Sequence, residues 1–60
     1  MLPQDPVILM SYLNTQLRDH YTSLEALAEG LDLSQEDLTS ALDRLAQAGI
    51  TYDESNNSFR

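Results

Sequence analysis

A mainly helical fold is what this sequence predicts: a three-helix core built around a helix-turn-helix, followed by a short C-terminal β-hairpin. Three observations carry the prediction. Cap residues precede three stretches in which leucines recur at helical spacing, a short turn flanked by leucines joins the second stretch to the third, and the periodicity switches from helix to strand after Gly49. The 60 residues form a single domain over 1–60.

Each element has its own local cause. In Leu2-Pro3-Gln4-Asp5-Pro6, Asp5 is a good N-cap and Pro6 falls at the first helical position, where its missing N–H costs nothing. Leu9, Met10, Leu13 and Leu17 then form one stripe, with Arg18 in the closing turn, so a first helix is expected over about 6–18. Asp19-His20-Tyr21 makes a short connection. Thr22 or Ser23 caps a second helix of about 23–30, whose apolar face is Leu24, Leu27, Ala28 and Leu31; Thr22 and Glu25 have capping-box spacing. After the turn Leu31-Asp32-Leu33, Ser34 caps a third helix over about 34–48. Leu38, Ala41, Leu42 and Leu45 supply its face, and Gly49 sits where a left-handed residue would end it. Ile50-Thr51-Tyr52 and Ser58-Phe59-Arg60 are the expected strands, joined by the turn residues Asp53-Glu54-Ser55-Asn56-Asn57. The expected core is Leu9, Leu13, Leu17, Leu24, Leu27, Ala28, Leu33, Leu38, Ala41, Leu42 and Leu45, with Ala28 at the closest approach of the second and third helices.

The segment Ser23 to Leu45, through Leu24, Leu27, Ala28, Leu33, Ser34, Leu38, Leu42 and Leu45 and on to Ala48-Gly49-Ile50, resembles the winged helix-turn-helix superfamily. That resemblance implies a winged-helix-like core with the hairpin as its wing. In that superfamily glycine is usual at the position of Asp32, whereas the glycine here is Gly30; Asp tolerates the left-handed conformation better than most residues. The whole chain also resembles a family of short bacterial proteins of unknown function. The residues that carry this second likeness are Leu2-Pro3-Gln4-Asp5-Pro6, Asn14-Thr15-Gln16-Leu17-Arg18-Asp19, Tyr52-Asp53 and Asn57-Ser58-Phe59. It implies a complete standalone protein and no activity.

Composition narrows the function. Ten acidic residues against three arginines and no lysine give a formal charge of −7, which works against binding polyanions and membranes. No apolar run approaches the roughly 20 residues of a membrane span, and no basic residue precedes Val7 to Met10 as in a signal peptide. A cytoplasmic location follows as the default expectation. With no cysteine and a single histidine, His20, no cofactor and no metal site is expected. Asp19 and His20 are adjacent but lack a nucleophile and a pocket, so no catalytic residue is assigned and the chain is not expected to be an enzyme or to hold a small-molecule ligand.

Two readings of function remain. In the first, the chain is a small interaction module acting through protein–protein contact, with a partner protein or with itself as a homodimer. Ile8 and Tyr12 lie one turn apart off the core stripe and are the candidate contact, unless both pack under the hairpin beside Tyr52 and Phe59. Asn14 and Arg18, with Ser11 nearby, form a polar face that serves either contact or solvation. In the alternative, the chain is a DNA-binding regulator whose third helix reads bases through Gln35, Thr39 and Ser40. Glu36 and Asp43 beside them would face phosphates, so nucleic acid is the disfavoured partner.

Overall fold

Three side-chain caps start three helices. The computed structural model describes residues 2–60, with α1 at Pro6–Asp19, α2 at Leu24–Gly30 and α3 at Gln35–Gln47, followed by the strands β1 at Tyr52–Asp53 and β2 at Ser58–Phe59. Asp5 accepts from the N–H groups of Val7 and Ile8 at 2.9 and 3.2 Å. Ser23, not Thr22, caps α2 by accepting from Ala26 at 3.1 Å, and Ser34 caps α3 by accepting from Asp37 at 3.1 Å. Each bond satisfies one of the donors that a helix start leaves without a partner. The expected helices are all present, with ends that differ by one residue. The expected hairpin is present as well, with shorter strands: Tyr52 faces Phe59, Asp53 faces Ser58, and residues 54–57 turn the chain. Thr51 and Arg60 still exchange both backbone bonds, at 3.1 and 2.9 Å.

Helices α2 and α3 end alike. Gly49 has φ +79°, the Ile50 N–H reaches the Leu45 carbonyl and the Gly49 N–H reaches that of Ala46. At the end of α2 the same pair of bonds runs from Leu33 to Ala28 and from Asp32 to Glu29, and Asp32 takes φ +56°. This is the Schellman arrangement, closed once by glycine and once by aspartate. Gly30, two residues earlier, has a separate use. The Tyr21 ring lies against it so closely that a Cβ at position 30 would overlap the ring.

Helix α1 is the element that the others share, since it packs on α2, on α3 and on β2, while α2 and α3 touch each other less. Leu9, Leu13 and Leu17 of α1 are buried with Leu27, Ala41, Leu45 and Phe59. Leu24, Leu33 and Leu42 are half-buried around this cluster rather than inside it. Leu38 and Ala28 are half-buried outside it, so the packing centre is α1 and not the α2–α3 corner. On α3 the buried edge follows the pair Ala41 and Leu45, one turn apart, which leaves Leu38 and Leu42 on its flank. Phe59, expected only as a strand residue, completes the core and meets Tyr52 with ring centroids 5.4 Å apart.

Two asparagines fasten the hairpin to α1. In an antiparallel pair, residues next to a bonded pair turn their N–H and C=O outward. Thr51 and Arg60 are bonded, so the backbone groups of Phe59 face away from β1. Asn14 takes both: its Oδ1 accepts from the Phe59 N–H at 2.7 Å and its Nδ2 donates to the Phe59 carbonyl at 3.1 Å. Asn57, at φ +50°, donates from Nδ2 to the carbonyls of Leu17 and Tyr21 at 3.3 and 3.1 Å, and its Oδ1 accepts from the Tyr52 hydroxyl at 2.6 Å. Asn14 is therefore a structural residue rather than part of a solvated face.

The burial pattern orders the cost of truncation. Leu45→Ala should lower stability by about 2–5 kcal/mol, a large share of what so small a domain has, and Leu42→Ala should cost less. Urea titration of both variants checks the order; an equal or larger loss at Leu42 would place the core elsewhere.

Candidate functional site

The outward side of α1 is the surface least explained by folding. Val7 is 62% exposed, Ile8 58% and Tyr12 37%, and these are the exposed large hydrophobic residues of the described chain. Ile8 and Tyr12 are thus not covered by the hairpin, and Val7, which the leucine pattern did not single out, joins them. Ser11 and Thr15 complete this side of the helix. The Thr15 hydroxyl donates to the Ser11 carbonyl at 2.9 Å. From Pro6 to Leu17 the chain holds no Asp, Glu, Lys or Arg.

The acid that α1 offers its dipole stands at the cap, where Asp5 accepts from Val7 and Ile8, whereas α2 and α3 are capped by serine. The positive end of a helix dipole favours acids in the first turn by about 0.3–1 kcal/mol each. Helix α2 has Glu25 there, and α3 has Glu36 and Asp37. Helix α1 has none in that turn.

Charges cluster at the ends of this face instead. Arg18 donates from Nε and Nη2 to the two carboxylate oxygens of Asp19 at 2.8 and 3.0 Å. The bond lowers the pKa of Asp19 and raises that of Arg18. With both oxygens engaged, Asp19 does not orient the exposed His20, whose ring instead meets Tyr21 edge-on at 6.2 Å. At the hairpin turn Asp53 accepts from the Asn56 amide at 2.7 Å and from the Ser55 N–H at 3.0 Å, and Arg60 stands 3.5 Å away. The Asn56 bond leads in lowering the Asp53 pKa, with smaller help from the backbone and from Arg60.

On α3, Gln35, Thr39 and Ser40 share one exposed surface with Glu36 and Asp43, as the helical spacing implied. Asp43 accepts from the Gln47 amide at 3.1 Å. Among the described residues, no group of three or more His, Cys, Asp or Glu is gathered as metal ligands would be, and no helix is long and apolar enough to cross a membrane.

A family model described as "Domain of unknown function (DUF4250)" matches residues 3–59. The chain belongs to this family. The match agrees with the likeness to a family of unknown function seen in the sequence, and it brings no winged-helix assignment with it. No curated protein and no solved structure gave a match. Of the residues that carried the likeness to a family of unknown function, Asp5, Pro6, Asn14, Asn57 and Phe59 have structural uses here as cap, first helical residue, two clamps and core.

If Ile8 serves contact rather than folding, a charge should be tolerated in its place. Ile8 is the third residue of α1, where a glutamate complements the dipole and can return a bond to the cap residue. Ile8→Glu should leave the unfolding free energy unchanged or raise it by no more than about 1 kcal/mol. A loss greater than that in thermal or urea unfolding would mean that Ile8 supports the core.

Proposed function

We propose that the chain is a non-enzymatic interaction module that acts through protein contact on the outward face of α1. The observation that carries this reading is the first turn of α1. Val7 and Ile8 stand exposed in the turn where α2 and α3 carry acids, the acid of α1 being its cap, Asp5. An apolar, uncharged surface ringed by polar residues is the composition of the centre of a protein–protein interface, from which charged residues are depleted.

Electrostatics weigh against the DNA reading of α3. Affinity for nucleic acid rests largely on cations that neutralise phosphates. Of the three arginines, Arg18 is paired with Asp19 and Arg60 stands against Asp53. Gln35, Thr39 and Ser40 have suitable hydrogen-bonding groups, but Glu36 and Asp43 on the same surface, and Asp53 and Glu54 at the hairpin, would meet the backbone of a duplex with like charge.

A photo-crosslinking phenylalanine analogue placed at Tyr12, or for comparison at Thr39, separates the two readings in the source cells. The analogue at Tyr12 should yield covalent protein adducts and the one at Thr39 should yield no nucleic-acid adduct. Nucleic acid captured from Thr39, with nothing captured from Tyr12, would overturn the proposal.

A further inference from the structure

We propose that the cavity beside the turn between α2 and α3 binds a free α-amino acid with an apolar side chain. This surface is separate from the contact face of α1, and the inference goes beyond the protein-contact reading. The cavity holds about 440 Å³, inside the range of roughly 300–1,000 Å³ for small-ligand sites. Two kinds of wall enclose it. Leu31 and Leu33, on either side of the turn, and Leu2 from the N-terminal segment are half-buried against the core and offer the cavity apolar surface. Asp32, Asp37 and Arg44 bring the charges.

Those charges do not satisfy one another. Asp37 and Arg44 stand two turns apart on α3, about 10 Å along its axis at 1.5 Å per residue. Helical side chains lean toward the N-terminus, so Arg44 leans toward Asp37. Among the described residues the two nevertheless form no ion pair. Arg18 and Arg60, by contrast, each stand against an aspartate. Arg44 is also half-buried, so the one guanidinium that no acid reaches lines an apolar-walled cavity.

Such walls select by chemistry. A simple anion would meet Arg44 but also two aspartates, and a simple cation would meet the guanidinium. A zwitterion suits all three. Its carboxylate takes the two parallel N–H bonds that a guanidinium fork offers, and its ammonium turns toward the aspartates. An apolar side chain on the same molecule then covers Leu2, Leu31 and Leu33 and is removed from water. A peptide's last residue lacks the free ammonium and its first lacks the free carboxylate, so the fit is to the free amino acid.

The amide resonances of Leu31, Asp32, Leu33 and Ser40, which border the cavity, read out a titration of the purified chain. L-leucine or L-phenylalanine should shift them saturably. Isocaproate (leucine without its ammonium) and isoamylamine (leucine without its carboxylate) should each bind at least about tenfold more weakly, since each forfeits charge-assisted bonds. Arg44→Gln should weaken leucine binding by a similar factor while circular dichroism shows the helices intact. If that variant does not fold, Asp37→Asn makes the same test from the ammonium side. Absence of a saturable shift with either amino acid overturns the inference, as does leucine binding unchanged in the folded variant. Isoamylamine binding as well as leucine also overturns it, because the acidic surface alone would then attract the amine. Isocaproate binding as well as leucine does the same, because the guanidinium alone would then hold the ligand.

Discussion

The side-chain amide of Asn14, bonded to both backbone groups of Phe59, is the contact on which the rest of this fold depends. Two strands of two residues each cannot hold together alone; isolated hairpins are marginal in water even when longer. Asn14 supplies what a third strand would, one acceptor and one donor at the outward edge of β2. By doing so it holds the Phe59 side chain in the leucine cluster and keeps buried backbone groups paired. Asn57 repeats the device in the other direction. From the hairpin it reaches the Leu17 carbonyl, one of the acceptors that a helix end leaves open, and that of Tyr21 just beyond α1.

Helix α1 therefore does different work on its two sides. Its inner side carries Leu9, Leu13 and Leu17 into the core and Asn14 to the hairpin, so α2, α3 and β2 are all referred to it. Its outer side carries Val7, Ile8 and Tyr12 and, from Pro6 to Leu17, no charge. In a chain with ten acidic residues, that division places the exposed large hydrophobics of the described residues on the outer side of the helix that organises the core. A contact made there would bear directly on the helix that α2, α3 and β2 pack against.

Much of the architecture was legible in the residues because short-range chemistry sets it. Caps at Asp5 and Ser34, glycine at 49 and leucines at helical spacing each act within one turn of chain, and the three helices and the hairpin follow from them. The burial of Leu38, Leu42 and Ala28 was over-read, because a helical wheel shows which residues share a face and not which neighbour covers it. Once α1 and Phe59 fill the centre, the flank of α3 is left half-exposed. Asn14 lay beyond local reasoning altogether. Its partner is Phe59, far along the chain, and an asparagine on a helix has the same local signature whether water or a strand takes its amide. Ile8 and Tyr12 were legible as a leftover of the core stripe, while Val7 emerged only from its exposure in the fold.

Amide hydrogen exchange at Phe59 tests the account at its base. Its N–H points away from β1, in a strand of two residues at the end of the chain, and its acceptor is the Asn14 side chain. If that bond holds the hairpin to α1, the Phe59 amide should exchange as slowly as the amides of the buried part of α1, by opening of the whole fold. Exchange as fast as at the hairpin turn residues 54–56 would contradict the account, since the hairpin would then open independently of the helix that is said to hold it.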